Sequence, residues 1–485
     1  MTVDRRMTIS TVESQMKIDE HSKTASIGWF TAALFVVADM AGGGVVAMPS
    51  AMLKSGDIAG SFVMAALAVS FCYTAHLLSD NWSIMCDRWD DYSYHCRKPY
   101  PEMAYRAMGS RGRTFCSSVL NVMLFSVSVV YLLISSSIIN DFITSVTGYN
   151  IGFCFMILII ACVLYPVTLL KSPQDFWWAI VVAMLTTLIA VILIIYGTAM
   201  DYSYCAPVVS YPPFSFESLI LSLGTFMFGF GGHVVFPSIQ HDMRNPQHFT
   251  KSSIVAFLIV TAMYASITIL TYLTYGSTLT DSVITSIQTE WIQSAANVFI
   301  AVHCILTLTI VINPLNQEVE HLFNADHHFG WHRVIIRTAV MLVVVFTAET
   351  VPNFGPILNI IGGTCVALTS AIMPSLYNLY LRAAVFNESD KKYRRPNFIE
   401  VLRRTPPLKL AINSFVIILA VICGVATTVQ AIAAMTTTSF TVPCYIGAFM
   451  ENQISENSSV STHCCGQFHN VSRYGDPDLY CFNAV

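Results

Sequence analysis

Three ionisable side chains stand inside long apolar stretches, where such groups are costly and therefore indicate function. Asp39 lies near the middle of the first stretch, His233 follows a pair of glycines in a later one, and His303 lies midway along another with Thr307 one helical turn beyond. A carboxylate or an imidazole at that depth can face a cavity and carry a proton. The sequence therefore predicts Asp39, together with His233 or His303, as carriers of a coupling proton.

Each of these residues also has a purely structural interpretation. Asp39 could cap a half-helix that begins just after it, which is compatible with a role in proton coupling. Each histidine could simply bond a neighbouring backbone carbonyl, and this interpretation is preferred over a proton relay.

A different chemistry is offered by the backbone after Asp39. Gly43, Gly44 and Val45 would begin a half-helix, whose exposed amides and positive dipole end can bind a carboxylate. Phe228, from a distant stretch, would line a side-chain pocket beside these amides. With Asp39 available for an ammonium group, the two charges of a zwitterion would be matched at one place.

Two interrupted apolar spans must position these groups. One is broken at 41–50 and the other at 229–238, and in register they share five identical pairs: Gly43/Gly231, Gly44/Gly232, Val46/Val234, Pro49/Pro237 and Ser50/Ser238. Glycine disfavours a continuous helix and proline removes a backbone donor, so both spans should unwind, with Gly231 and Gly232 opening the second. Paired interrupted spans are typical of a transporter's substrate site, although glycine can also serve close helix packing.

The composition is that of a polytopic membrane protein. Of 485 residues, 54% are hydrophobic and only 11% are charged, and the mean hydropathy is +0.60. Apolar runs predict an all-α fold with about eleven transmembrane helices. A net charge of -4 without a basic stripe excludes nucleic-acid binding. The sequence shows no enzyme motif, and neither a cofactor nor a metal site is expected.

The positive charges predict the orientation. All of the 25 Lys and Arg residues except Lys54 and Arg473 fall in segments that lie inside if the N-terminus is cytoplasmic. This divides the chain into a cytoplasmic tail at 1–26, a transmembrane domain at 27–435, and a cysteine-rich tail at 436–485 that is extracellular or lumenal. No removable signal peptide is apparent.

The C-terminal tail carries two features of an oxidising compartment. They are the glycosylation sequons at Asn457 and Asn470 and the cysteines Cys444, Cys464, Cys465 and Cys481. We expect these four cysteines to pair with one another, in any of three arrangements. Cysteines in apolar spans, such as Cys154, are expected to be ordinary packing residues. The sequons at Asn81 and Asn387 would lie inside and stay unused.

Three segments together resemble the amino acid/auxin permease family. They are Ser26 to Ala51, Tyr100 to Gly109, and Phe226 to Gln240, in the order that the family has them. The resemblance covers about residues 26 to 435. It implies eleven spans with a LeuT-type five-plus-five inverted-repeat core, broken helices 1 and 6, and a pocket at both breaks. Asp39 is not a position that transfers from the family, and the cysteine-rich tail departs from its usual pattern.

Together these observations predict a secondary active transporter of small amino acids or related amines, working by alternating access in a lipid bilayer. Coupling to a proton, as symport or antiport, is preferred, with sodium as the other candidate. The expected membrane is the plasma membrane or that of a vesicle or lysosome. An amino-acid-sensing receptor or a channel is the alternative, although a channel would need a continuous polar stripe that these spans lack.

Overall fold

The computed structural model describes residues 27–92, 96, 98–169, 177–280, 282–323, 325, 330–388, 392–437, 443–447, 464–468, 470–475 and 481. The predicted N-terminal tail at 1–26 and the sequon at Asn457 lie outside these residues. The described chain is mostly helical, and its two strands form one short hairpin, in which β1 (Val385–Asn387) pairs antiparallel with β2 (Lys392–Arg394).

The helices follow one another with short connections. The first nine are α1 (Trp29–Met40), α2 (Gly43–Ser55), α3 (Asp57–Arg88), α4 (Pro99–Met108), α5 (Ser110–Thr147), α6 (Phe153–Thr168), α7 (Trp177–Cys205), α8 (Phe216–Gly229) and α9 (Phe236–His241). They are followed by α10 (Phe249–Tyr275), α11 (Glu290–Leu322), α12 (Trp331–Thr350), α13 (Phe354–Ile361), α14 (Met373–Ala383), α15 (Phe398–Arg404), α16 (Pro407–Thr437) and α17 (Cys444–Gly447). A π-helical segment at Gly362–Ile372 joins α13 to α14.

Eight helices of the described chain are long and apolar enough to cross a membrane, and the bent pair α1 and α2 makes a ninth span. Two shorter apolar helices, α6 with 16 residues and α8 with 14, occupy the remaining predicted positions. The predicted all-α polytopic fold is confirmed.

Both predicted helix breaks are present. Helices α1 and α2 are bent by 58° relative to each other, because Ala41 (φ -81°, ψ 61°) and Gly42 (φ -115°, ψ -116°) leave the helical conformation. The second break separates the end of α8 at Gly229 from the start of α9 at Phe236. Glycine lowers the cost of such conformations, so the backbone unwinds where the sequence predicts.

The surrounding helices hold the two breaks in the interior. Helix α11 packs mainly on α5 and α7, α2 packs on α8, and α10 packs on α1. One continuous apolar core runs through these contacts. The unwound backbone is therefore packed among helices, and a membrane tolerates such backbone where it is buried in protein or lines a water-filled cavity.

The prediction that the four tail cysteines pair with one another is wrong. Only Cys464 and Cys481 are joined within the tail. Cys444 is bonded to Cys154, the second residue of α6, and Cys465 to Cys205, the last residue of α7. The Cα atoms of these two pairs lie 5.6 and 5.5 Å apart, within the usual range for a disulfide.

The error arose from treating cysteines in apolar spans as packing residues. Cys154 and Cys205 belong to membrane helices, but each lies at a helix end, and folding brings both ends to the tail. Cys154 is therefore a disulfide partner and not an ordinary packing residue. The tail is thus stapled to α6 and α7, and Arg473 adds contacts by donating from its backbone amide to Gln288 Oε1 at 2.7 Å.

Candidate functional site

The two breaks face each other across a very short distance. A Cβ atom on Gly44 would lie 3.0 Å from the Cα of Gly229, and one on Gly43 would lie 3.7 Å from Cε1 of Phe228. The fold therefore brings together residues that the sequence predicts for one site. These residues come from distant parts of the chain.

Asp39 connects the first break to the second. It stands in the last turn of α1, and its carboxylate fills the space that a Cβ on Gly232 would need. The side chain is exposed, although Ala38 and Met40 on either side are only 9% and 3% exposed. Within the described chain its carboxylate makes no hydrogen bond or ion pair. Such a carboxylate, at the negative end of a half-helix, is the electrostatic complement of a cation.

Asp39 does not cap the second half-helix. The N-cap residue of α2 is Gly42, and no side chain caps it. Asp39 belongs to the preceding helix, and its carboxylate lies against Gly232. The structural alternative considered for Asp39 is therefore excluded by the geometry.

The amides at the start of α2 are not equivalent. Val45 already donates to the Gly42 carbonyl at 3.1 Å, and the Gly43 amide lies within hydrogen-bonding reach of the Tyr131 hydroxyl. The Gly44 amide has no hydrogen bond to any described residue. Of the three predicted amides, only that of Gly44 therefore has no hydrogen bond within the described chain.

His303 is buried where α11, α7 and the first break meet. Its Nδ1 lies 2.7 Å from Thr187 Oγ1 and 3.1 Å from the Ala183 carbonyl, and its Nε2 lies 3.2 Å from Thr307 Oγ1. Because a carbonyl only accepts, these partners assign the proton to Nδ1 and leave Nε2 as an acceptor. A Cβ on Gly42 would approach that Nε2 to 2.9 Å, so the acceptor nitrogen adjoins the break.

His233 has a different environment. Its Nε2 lies 3.0 Å from the Phe71 carbonyl and 3.1 Å from Thr74 Oγ1, so this nitrogen is the donor. Its ring is fully buried and packs against Phe71, Phe236 and Phe257. Nδ1 has no hydrogen-bond partner among the described residues. These contacts fit the carbonyl-bonded histidine that the sequence analysis preferred.

Two tyrosines at the breaks were undervalued by sequence reasoning. The hydroxyl of Tyr131 stands against Gly42 and near the Gly43 amide. Tyr264 had not been considered, yet its hydroxyl bonds backbone in both breaks. A tyrosine on a membrane helix gives no sequence signal of its direction, because only the packing decides which face meets the breaks.

Access to the site differs between its two sides. Between α2, α8 and α13 there is a cavity of only about 20 Å³, which is room for about one water. On the other side, Val235 in the second break is 37% exposed, and Ser238 in α9 is exposed as well. There is therefore little space between the breaks and α13, whereas two side chains near the second break are exposed beside α9.

Comparison with known proteins gives relatives along most of the chain. The amino acid transporter AVT1J of Arabidopsis thaliana is 21% identical over 396 residues, which cover 80% of this chain and 88% of the relative. The Arabidopsis amino acid transporter ANT1 is 22% identical over 378 residues, covering 73% and 85%. Both relatives are named as amino acid transporters.

Solved structures identify the fold. The inward-facing conformation of Mhp1 aligns with a TM-score of 0.53 at 14% identity, covering 82% of this chain and 90% of that one. A closed conformation of Mhp1 also gives 0.53, with 87% and 94% covered. The chain thus has a LeuT-type inverted-repeat fold. Residues 25–402 match the family model described as transmembrane amino acid transporter protein, and the chain belongs to that family.

Proposed function

We propose that this protein is a proton-coupled secondary active transporter of small amino acids, working by alternating access. The observation that carries the proposal is Asp39, which is accessible and without a partner in the described chain although it lies against Gly232 at the junction of two broken helices. A membrane protein retains such a group where it serves a solute or a proton.

The substrate carboxylate is assigned to the start of α2. The amides of Gly43 and Gly44 stand at the positive end of that half-helix, and the Tyr131 hydroxyl lies beside them. Val45 contributes to the turn and not to the ligand, because its amide is bonded to Gly42.

The rest of the substrate is assigned to the second break. Phe228 faces Gly43 and would contact the side chain of the amino acid. A Cβ on Gly231 would meet Val366 at 3.1 Å, so the pocket is narrow on this side. That narrowness supports a preference for small amino acids, and the ammonium group would be directed at Asp39.

Proton coupling is assigned to Asp39 first and to His303 second. Asp39 is accessible, whereas His303 is buried with an acceptor nitrogen beside Gly42. His233 was the other predicted carrier. We assign it a positioning role, because its ring is enclosed by aromatic side chains and anchored to the Phe71 carbonyl.

Disulfides and charge support one orientation. Cys154, Cys205 and the tail cysteines gather at one end of the helices, where an oxidising compartment belongs. Arg88 and Arg382 lie at the opposite end, where α3 and α14 finish. We infer a cytoplasmic N-terminus and a tail that is extracellular or lumenal, in the plasma membrane or in an organelle.

Counterflow in proteoliposomes tests the proposal. Proteoliposomes that contain the purified protein are preloaded with a mixture of unlabelled amino acids. Each labelled amino acid is then added outside, at two pH values, with and without sodium. We expect stoichiometric exchange of small amino acids that increases in acid and is independent of sodium. Saturable binding without exchange would instead indicate a sensing receptor. Exchange that requires sodium would show that sodium, and not a proton, is the coupling ion.

A further inference from the structure

One hydroxyl group bonds the backbone of both broken helices. Tyr264 of α10 is fully buried, and its Oη lies 2.8 Å from the Met40 carbonyl and 3.1 Å from the Gly229 carbonyl. Met40 is the last residue of α1 and Gly229 is the last residue of α8. The hydroxyl therefore joins the ends of the first halves of both interrupted spans.

The two carbonyls need a donor at this place. The last carbonyls of a helix lack intrahelical partners, and both helix ends carry the negative end of a dipole. When two such ends meet in the interior, away from water, they repel each other. The Met40 carbonyl also accepts from the Gly42 amide at 2.9 Å, whereas Tyr264 is the only donor to the Gly229 carbonyl among the described residues. A single O–H directed between the two carbonyls reduces their repulsion and supplies a hydrogen-bond donor. Because it has only one hydrogen, the two carbonyls share it.

The surrounding residues fit the tyrosine closely. A Cβ on Gly44 would lie 2.6 Å from the Tyr264 hydroxyl, so glycine at this position lets the hydroxyl reach the break. The ring of Phe230 packs edge-on against the tyrosine with the centroids 5.5 Å apart. Helix α10 thus presents Tyr264 in a fixed position, and the hydroxyl has little freedom to choose other partners.

We propose that Tyr264 is the positioning residue of the substrate site: its shared hydrogen bond holds the two breaks at the spacing that an amino acid requires. The proposal rests on the proposed function. Asp39 immediately precedes Met40, and Phe228 immediately precedes Gly229, so the bonded carbonyls adjoin the residues assigned to the ligand. When either half-helix moves away during transport, the hydroxyl keeps only one of its two acceptors, and the paired arrangement is lost.

Replacing Tyr264 by Phe removes the hydroxyl and keeps the ring. The matched control is Tyr275→Phe on the same helix, because Tyr275 is also buried and its hydroxyl also makes a hydrogen bond, to Asp201 at 2.7 Å. Both variants are reconstituted beside the wild type and tested with a mixture of the twenty standard amino acids, one labelled at a time. The rate and the half-saturation concentration of exchange are measured separately.

We expect Tyr264→Phe to raise the half-saturation concentration about tenfold, equivalent to about 1.4 kcal/mol, with the maximal exchange rate changed less than about twofold. Tyr275→Phe should leave the half-saturation concentration unchanged. A merely structural hydroxyl would lower the amount of active protein, and hence the maximal rate, in both variants alike. An unchanged half-saturation concentration in Tyr264→Phe, or an equal change in both variants, would overturn the proposal.

Direct binding separates this proposal from the proposed function. If the wild type binds labelled amino acids without exchanging them, transport is refuted, but a weaker affinity in Tyr264→Phe than in Tyr275→Phe still supports the positioning role. If the wild type binds none of the twenty, both proposals fail. If exchange is normal and binding is equally tight in all three proteins, only the role of Tyr264 is refuted.

Discussion

Asp39 and Gly232 show how two residues from distant positions in the chain constrain each other. The carboxylate lies in the space that any larger residue at 232 would occupy. The pair therefore joins the two breaks through direct contact and not through a hydrogen bond. At the scale of single residues, the site depends both on the charge at 39 and on the missing side chain at 232.

Replacing Asp39 by Asn should abolish the acid stimulation of uptake and lower uptake at least about tenfold, or about 1.4 kcal/mol in the transport barrier. The amide keeps the shape of the side chain but can neither bind a proton nor attract an ammonium group. Uptake is measured across a pH series at equal surface expression. The control is Asp57→Asn at the start of α3, whose side chain bonds its neighbour's amide. Full acid-stimulated uptake in Asp39→Asn would refute the proton assignment.

Replacing Gly232 by Ala should inactivate transport. The new methyl group would displace the Asp39 carboxylate and lie 3.2 Å from Cγ of Met40. The φ of Gly232 is +156°, and a side chain held in such a backbone conformation costs about 1 to 3 kcal/mol. Gly28→Ala is the control, since a Cβ there meets nothing within 4 Å. Exchange rate and melting temperature are compared. Normal exchange by Gly232→Ala would show that the contact with Asp39 is unimportant.

At the scale of elements, the tail is bonded to helices that a sequence-based division assigns to a separate region. Cys465 joins the end of α7 across 260 residues of sequence, and Gln288 Nε2 donates toward both sulfur atoms of this bridge at 3.0 and 3.2 Å. The side chain of Arg473 lies 3.8 Å from Asp201 of α7 and bonds Thr289. The tail therefore links α7 to the connection between α10 and α11.

Replacing Cys465 by Ser should destabilise the protein by about 2 to 4 kcal/mol, because the open chain regains conformational freedom when it unfolds. The melting temperature of purified protein is measured with and without a reductant. Cys162→Ser on α6 is the control, since Cys162 is exposed and forms no disulfide. The wild type should lose stability on reduction, and Cys465→Ser should lose less. Equal melting temperatures for wild type and Cys465→Ser would contradict the linkage.

At the scale of the whole molecule, the orientation can be read from the sequons. Asn470 is exposed and lies in the tail that we place outside or in a lumen. Asn81 is fully buried and donates to the Pro374 carbonyl at 3.0 Å, so an oligosaccharide cannot attach to it in the folded protein. Asn387 belongs to β1, at the end that we place in the cytoplasm.

Asn470→Gln should therefore remove one glycan, whereas Asn387→Gln should change nothing. Protein from a glycosylating cell is treated with a glycosidase, and the shifts in gel mobility are compared among the wild type and both variants. Loss of a glycan in Asn387→Gln would show that the orientation is the opposite of the one proposed. Persistence of every glycan in Asn470→Gln would show that this sequon is unused.

The class of fold and the positions of both helix breaks could be predicted from the sequence alone. The lipid environment requires long apolar spans, and glycine with proline weakens a helix locally, so both signals can be read without knowing the tertiary contacts. The repeated pattern at 41–50 and 229–238 located both breaks, and the resemblance of three segments indicated the family. The positions of Asp39, Gly43 and Phe228 followed from these breaks.

Which groups meet in space depends on how the helices pack. The direction of a side chain on a membrane helix depends on the rotation and crossing of that helix, and apolar patterning is too uniform here to specify either. Only packing could therefore show that Tyr131 and Tyr264 reach the breaks, that Asp39 contacts Gly232, and that Val45 bonds Gly42. The same reason explains the disulfides: helix ends that are distant in sequence become neighbours of the tail only after the helices have assembled.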